Sequence, residues 1–163
     1  MSEKFHAELK TLKEDTVKMA LLGRLMLRTA VDALIRQDTE LAKSVIDRKE
    51  EIREKGVRIE ERCYQLIALN QPMAKDMRTI ACTLKMTEAS LRIGRYGKSI
   101  ANIVRELSGR PHIANMMSLP HMADLVTDMV DDAIKAYASD SISRVSDFSS
   151  RDDTIDALRH SIF

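Results

Sequence analysis

Three cations on one helical stretch are the residues best suited to binding chemistry. Arg92, Arg95 and Lys98 follow one another at intervals of three, within and just after residues 90–97 (SLRIGRYG). Such intervals place side chains broadly on one flank of a helix, where they would suit an anion or an acidic protein partner. Glu88 lies four residues before Arg92 and partly neutralises it. A solvated basic face is the simpler interpretation.

Patterns typical of metal binding or catalysis are scarce. A carboxylate-bridged di-iron bundle needs two Glu-x-x-His motifs, and the chain offers one, from Glu3 to His6. His112, His121 and His160 lack such a glutamate. The sequence contains no nucleophile elbow, phosphate-binding loop or dinucleotide fingerprint. We therefore predict no catalytic residue, no cofactor and no metal role for any of these histidines.

Cysteine content and charge narrow the functional class further. Cys63 and Cys82 are too few for a disulfide scaffold, and their apolar helical surroundings predict buried, reduced thiols. A net charge of +1 does not indicate a surface for nucleic acid. The sequence shows no secretory leader and no apolar run long enough to span a membrane, so we expect a cytoplasmic protein.

Composition and periodicity predict a protein built from long helices. Of the 163 residues 44 % are apolar and 31 % charged, with only 5 Gly, 3 Pro and no Trp. The first helix is predicted over 2–36, where apolar residues recur every seven positions, as in helices packed at a shallow angle. Asp38 is then expected to cap a second helix over 39–69. The alternating charges of 47–61 are interpreted as solvated i,i+4 pairs.

A third helix is predicted over 73–107. It follows a corner at Asn70-Gln71-Pro72 and ends before residues 108–111 (SGRP). Three helices of similar length joined by short turns predict an up-down-up antiparallel bundle. The apolar face expected for the third helix comprises Met77, Ile80, Leu84, Leu91, Ile93, Ile100, Ile103 and Leu107.

The remainder of the chain repeats the beginning in part. A fourth helix is predicted over 121–138 and a fifth from residue 140 or 141 onward. When the sequence is shifted by 103 residues, apolar positions of the first helix coincide with those of the fourth without a gap. Chance agreement between two heptad helices is the alternative. The prediction is an all-α protein with a first three-helix bundle over 1–109 and an incomplete second bundle over 117–163.

Several short motifs, in this order and spacing, resemble the PhoU family. The resemblance is specific over residues 5–107 and patchy over 120–163. The motifs are Phe5-His6-x-Glu8-Leu9, Ala30-Val31-Asp32-Ala33-Leu34, Asp38-x-Glu40-Leu41-Ala42, Leu66-Ile67-Ala68, Gln71-Pro72-Met73-Ala74-x-Asp76-Met77-Arg78, and Arg92-Ile93-Gly94 followed by Tyr96.

The resemblance implies tandem three-helix bundles and a regulator of phosphate uptake rather than an enzyme. Its implied partners are a phosphate ABC transporter and a sensor histidine kinase. A homodimer is also implied, and membrane contact only through the partners. Many family members bind metal through acidic residues on the third helix of each bundle. The same positions in this chain hold Ala89, Leu91 and Arg95.

Leucine cannot coordinate a hard cation and a guanidinium repels one, so we do not extend the family's metal site to this chain. We predict instead that Arg92, Arg95 and Lys98 contact a partner or an anion. Two alternatives stay open. One is a dimerising helical scaffold without a signalling role. The other is a metal-binding bundle that uses Asp131, Asp132, Asp152 and Asp153.

Overall fold

A computed structural model describes residues 3–111 and 118–161, and every regular element in these two ranges is helical. This confirms the all-α prediction. Within the same ranges no helix has the length and apolar character needed to cross a lipid bilayer. The elements are α1 (Glu3–Arg36), α2 (Thr39–Asp47), α3 (Lys49–Asn70), α4 (Ala74–Glu106), α5 (Ser118–Ser139), a 3-10 turn (Ser143–Val145) and α6 (Phe148–His160).

Helix α1 is the central element of the fold. It packs against α2, α3 and α4 on one side and against α5 on another. Its predicted heptad face is the one that is buried, which confirms the interpretation of 2–36 as a packed amphipathic helix. The buried residues of α1 are Phe5, Leu9, Leu12, Thr16, Met19, Ala20, Leu22, Gly23, Met26, Ala30 and Ala33.

The predicted helix boundaries of the first bundle are confirmed by local geometry. The backbone N–H of Leu41 donates to the Asp38 carboxylate at 2.9 Å, so Asp38 caps α2 as expected. Gln71 takes a left-handed conformation (φ 46°) directly before Pro72 and ends α3. Gly109, with φ 79°, follows the end of α4, where only glycine adopts this conformation at little cost.

The single helix predicted over 39–69 is wrong, because the structure divides it into α2 and α3 at Arg48. The ψ of Arg48 is −2°, and its N–H donates to the carbonyl of Val45, three residues back, at 3.2 Å. This is a 3-10-like tightening of the turn. No glycine or proline occurs at this position, so the sequence contains no residue type that would indicate the break between α2 and α3.

The apolar face predicted for α4 is only partly correct, because Ile80 alone among its members is fully buried. Met77 and Ile103 are exposed, while Leu84, Leu91 and Ile100 are only partly buried. The buried positions are spaced at alternating intervals of three and four, and most carry small side chains. They are Ile80, Thr83, Thr87, Ser90, Gly94, Gly97, Ala101 and Val104.

The small side chains of α4 allow its backbone to approach α1 closely. A Cβ added at Gly97 would lie 2.8 Å from the carbonyl oxygen of Met26. On the opposite helix, a Cβ at Gly23 would lie 2.7 Å from the carbonyl oxygen of Ser90. Each separation is shorter than real Cβ atoms show, so both glycines are required for this packing distance.

Helix α5 packs antiparallel to α1 and is held there by three ion pairs. Lys13 pairs with Asp140 at 2.8 Å, and Arg24 with Asp131 at 2.5 Å. Arg28 pairs with Asp124. Beside them the hydroxyl of Tyr137 lies 2.6 Å from that of Thr83 on α4. The buried side of α5 consists of Ala123, Thr127, Ile134 and Tyr137.

The predicted fifth helix begins later than expected. Asp140 has a φ of 52°, which ends the path of α5, and the 3-10 turn intervenes before α6 starts at Phe148. The serine hydroxyls of this segment bond locally: those of Ser141 and Ser143 lie 3.0 Å apart, an arrangement that competes with helix formation. Residues 112–117 lie outside the described ranges, so the boundary between 1–109 and 117–163 stays a prediction.

Candidate functional site

A cavity of about 270 Å³ lies between the start of α3 and the middle of α4. Its floor is apolar and its rim is cationic. The floor is formed by Met26, Ile52, Leu91 and Gly94, and the rim by Lys49, Arg53, Arg95 and Lys98. We refer to this feature as the basic-rimmed cavity.

Gly94 positions the two walls of the basic-rimmed cavity. A Cβ at this residue would lie 2.7 Å from Cδ1 of Ile52, so the absence of a side chain at Gly94 lets Ile52 pack directly onto α4 in its present position. Ile52 is 2 % exposed and anchors the first turns of α3 at this level. Because α3 begins immediately after the tightened turn at Arg48, Lys49 and Arg53 reach the same cavity as the cations of α4.

The two walls differ in how far their charges are compensated. Arg53 donates to Glu50 at 2.7 Å, and Lys49 lies 3.6 Å from the same carboxylate. The hydrogen bond from Arg53 lowers the pKa of Glu50, and the same bond raises the pKa of Arg53, so both stay ionised at neutral pH. Among the described residues, Arg95 and Lys98 form no ion pair within 4.0 Å.

The structure separates the predicted trio of cations. Arg95 and Lys98 line the basic-rimmed cavity, whereas Arg92 does not and instead donates to Glu88 at 3.1 Å. Sequence reasoning missed Lys49 and Arg53, because the charged stretch 47–61 has the spacing of ordinary i,i+4 pairs. Only the packing of α3 onto α4 places them next to Arg95.

Two of the four aspartates that would bind metal under the alternative interpretation are engaged elsewhere, and the other two, Asp152 and Asp153, are exposed on α6. Asp131 pairs with Arg24, and Asp132 pairs with Arg151 at 2.9 Å. Across 3–111 and 118–161, no three His, Cys, Asp or Glu side chains lie close enough together to hold a metal ion. Arg95, at a position where the family resemblance implies a metal-facing acid, adds a further positive charge. The side chains around Arg95 therefore do not fit a bound metal cation.

Two histidines, His6 and His160, make contacts within the protein. Nε2 of His6 lies 3.8 Å from the carboxylate of Asp76, so His6 of the Glu3-x-x-His6 motif contacts α4 from α1. Nδ1 of His160 lies 2.7 Å from the backbone carbonyl of Asp156. His112 lies outside the described residues.

The prediction of two buried cysteines holds for Cys63 and is wrong for Cys82. Cys63 belongs to the core, and burial raises the pKa of its thiol to about 11. Cys82 is exposed. The reason is the register of α4: Ile80 and Thr83 occupy the buried face, and Cys82 falls between them on the outer side.

This difference predicts selective thiol chemistry. With a disulfide reagent such as DTNB at pH 8, we expect one thiol to react rapidly, because Cys82 is accessible while Cys63 is buried and protonated. Cys82→Ser should abolish the rapid phase and Cys63→Ser should leave it intact. Absorbance of the released thiolate measures both. Equal rapid labelling of the two cysteines in the folded protein would contradict the burial of Cys63 in α3, and slow labelling of Cys82 would contradict the assigned α4 register.

Comparison with known proteins adds a family relationship to this geometry. The model of the PhoU domain matches the chain over residues 16–104 and again over 119–163. The two matches begin 103 residues apart, the same offset at which the sequence aligns with itself. Two matches to one domain model agree with the predicted internal repeat.

Individual relatives match nearly the whole chain. A phosphate-specific transport system accessory protein PhoU homolog of Aquifex aeolicus is 32 % identical over 159 residues, which cover 98 % of this chain and 72 % of the relative. A homolog of the same description from Clostridium acetobutylicum is 28 % identical, covering 98 % and 73 %. The crystal structure of the phosphate transport system regulatory protein PhoU from Streptococcus pneumoniae superimposes with a TM-score of 0.87 at 25 % identity, covering 96 % of this chain and 74 % of that one.

Proposed function

Because the chain belongs to the PhoU family, we propose that it is an accessory regulator of a phosphate-specific transport system, acting through protein contacts and not through catalysis. The observation that carries this proposal is the match of named relatives over 98 % of the chain together with the TM-score of 0.87.

Exposed apolar side chains support an action through protein contacts. Leu69 is 82 % exposed and Met73 is 74 % exposed, and both lie at the corner between α3 and α4. Met77, one turn into α4, is also exposed. Large apolar residues grouped in sequence at one exposed corner are typical of surfaces that bind other proteins. The proposed partners are a transporter component, a sensor kinase and a second copy of the chain. The proposed location is the cytoplasm.

A complementation experiment tests the regulatory role. In a bacterial strain that lacks its own PhoU, expression of this chain is expected to restore restraint of phosphate uptake and of a phosphate-starvation reporter gene. Uptake of radiolabelled phosphate and reporter fluorescence are the readouts. If the chain accumulates to normal levels but changes neither quantity, the regulatory role is refuted and a scaffold without signalling becomes the better description.

The surface with Arg95 and Lys98 is proposed as one of the contact regions. Support comes from its position in the basic-rimmed cavity, where these two cations have no carboxylate partner among the described residues. Arg92 is assigned a smaller role, because Glu88 already neutralises it.

A further inference from the structure

We propose that the basic-rimmed cavity binds an acidic segment of a partner protein, with one apolar side chain of that segment on the floor and carboxylates on both sides of it. This inference rests on the proposed function, because it assumes that the chain acts through protein contacts. It goes further by assigning a location and a chemical character to one contact.

The floor of the cavity decides between a peptide and a small anion. Met26, Ile52 and Leu91 offer no hydrogen-bond donor, and Gly94 offers no side chain. A phosphate ion on this floor would lose water without gaining donors, which is unfavourable for a charged group. An apolar side chain on the same floor would release water from two apolar surfaces at once. The floor therefore favours a ligand with an apolar part.

The cationic rim makes the cavity selective for a ligand that carries negative charge. Lys49 and Arg53 share the single carboxylate of Glu50, while Arg95 and Lys98 have no ion-pair partner among the described residues. The four cations thus leave an excess of positive charge around an apolar depression. Carboxylates that flank a seated apolar side chain would pair with these cations, and Arg95 is able to bind one of them through two parallel hydrogen bonds.

The size of the cavity fits one side chain better than a whole small molecule. Its volume of about 270 Å³ falls below the range of roughly 300–1,000 Å³ that is common for ligand pockets. A leucine, methionine or phenylalanine side chain fits within such a space, and the backbone of the partner then runs along the rim. This is the anchor-and-pocket arrangement found at protein interfaces.

Fluorescence anisotropy with a defined probe tests the proposal. The probe is a labelled peptide with leucine between two pairs of glutamates, and the comparison peptide has glycine in place of leucine. We expect about tenfold weaker binding of the glycine peptide, and about tenfold weaker binding of the leucine peptide by the double variant Arg95→Gln, Lys98→Gln. The matched control, Lys75→Gln, Arg105→Gln, removes the same charge from exposed residues of α4 outside the cavity and should change the affinity less than twofold.

Three results would overturn the proposal. Equal losses in both double variants would show general charge attraction. Equal affinity for the two peptides would show that the floor is not used. Displacement of the leucine peptide by inorganic phosphate, but not by equal ionic strength of chloride, would assign the cavity to a small oxyanion. Circular dichroism of each variant confirms that it is folded.

The complementation strain separates failure of this inference from failure of the proposed function. If the unmodified chain restrains phosphate uptake and the Arg95→Gln, Lys98→Gln variant does so equally well, the cavity is not a regulatory contact and the proposal fails, while the proposed function stands. If the unmodified chain itself restores nothing, the proposed function fails, and the anisotropy experiment still decides whether the cavity binds the acidic peptide.

Discussion

Replacing Gly97 with alanine is expected to lower the free energy of unfolding by about 2–3 kcal/mol, although alanine is the better helix former. The added methyl group would lie 2.8 Å from both the carbonyl carbon and oxygen of Met26 and 2.9 Å from the nitrogen of Leu27. These are backbone atoms of α1, so relief requires the two helices to separate. Urea unfolding followed by circular dichroism measures the change.

Gly56→Ala is the matched control for this prediction. Its added methyl group would lie 3.1 Å from Cε of Met19, the far end of a flexible side chain that is able to rotate away. The gain in helix propensity, up to about 1 kcal/mol, then offsets the crowding, and stability should change little. Losses of equal size at Gly56 and Gly97 would contradict the close backbone contact of α1 and α4.

Replacing Tyr137 with alanine is expected to cost about 3 kcal/mol and to loosen α5 from the first bundle. The ring is 8 % exposed, the ammonium of Lys13 lies 5.5 Å from its centroid, and the hydroxyl lies 2.6 Å from that of Thr83. Burial raises the pKa of Tyr137, so the hydroxyl remains protonated at neutral pH and is able to donate. Hydrogen exchange of the α5 amides should accelerate together with the loss of stability.

Tyr137→Phe separates the contribution of the hydroxyl from that of the ring. Thr83 keeps a second partner, because its hydroxyl also donates to the carbonyl of Thr79 at 2.9 Å. The phenylalanine variant should therefore lose only about 1 kcal/mol, the usual value of one net hydrogen bond. Unchanged exchange of the α5 amides in the alanine variant would show that the ion pairs alone hold α5 on α1.

Sequence reasoning predicted the parts of this fold that depend on local signals. Asp38 and Pro72 mark helix ends through capping and through steric restriction, and both effects act within a few residues. The heptad of α1 was visible because Phe5, Leu12 and Met19 are large apolar residues at fixed intervals. The PhoU resemblance, which rests on ordered short motifs, led to the correct family and to the correct fold class.

The features that sequence reasoning missed depend on packing between distant segments. The buried face of α4 contains Gly94 and Gly97, which carry no hydrophobic signal of their own, so the larger Met77 and Ile103 suggested the wrong face. The burial of Gly94 and Gly97 follows from the close approach of α1, which only the tertiary structure reveals. The division of α2 from α3 at Arg48 likewise has no marker residue.

Half of the cationic residues of the candidate site were predicted from the sequence. Arg95 and Lys98 lie on one turn of α4, and their proximity follows from helical periodicity alone. Lys49 and Arg53 join them from α3 because Ile52 packs onto Gly94, a contact between residues more than forty positions apart in the sequence. The charged stretch 47–61, which the sequence predicts to be a solvated surface, contributes two of the four cations of the rim in the folded protein.

The parallel packing of α1 and α4 affects the electrostatic field of the first bundle. Gly23 meets Ser90 and Met26 meets Gly97, so the two longest helices run in the same direction and their macrodipoles add. The chain places Glu3 and Asp76 in the first turns of these helices and Arg36 and Arg105 in the last. Each side chain opposes the partial charge of the terminus it occupies. The charges of these four side chains therefore offset the combined dipole of α1 and α4 at both ends of the bundle.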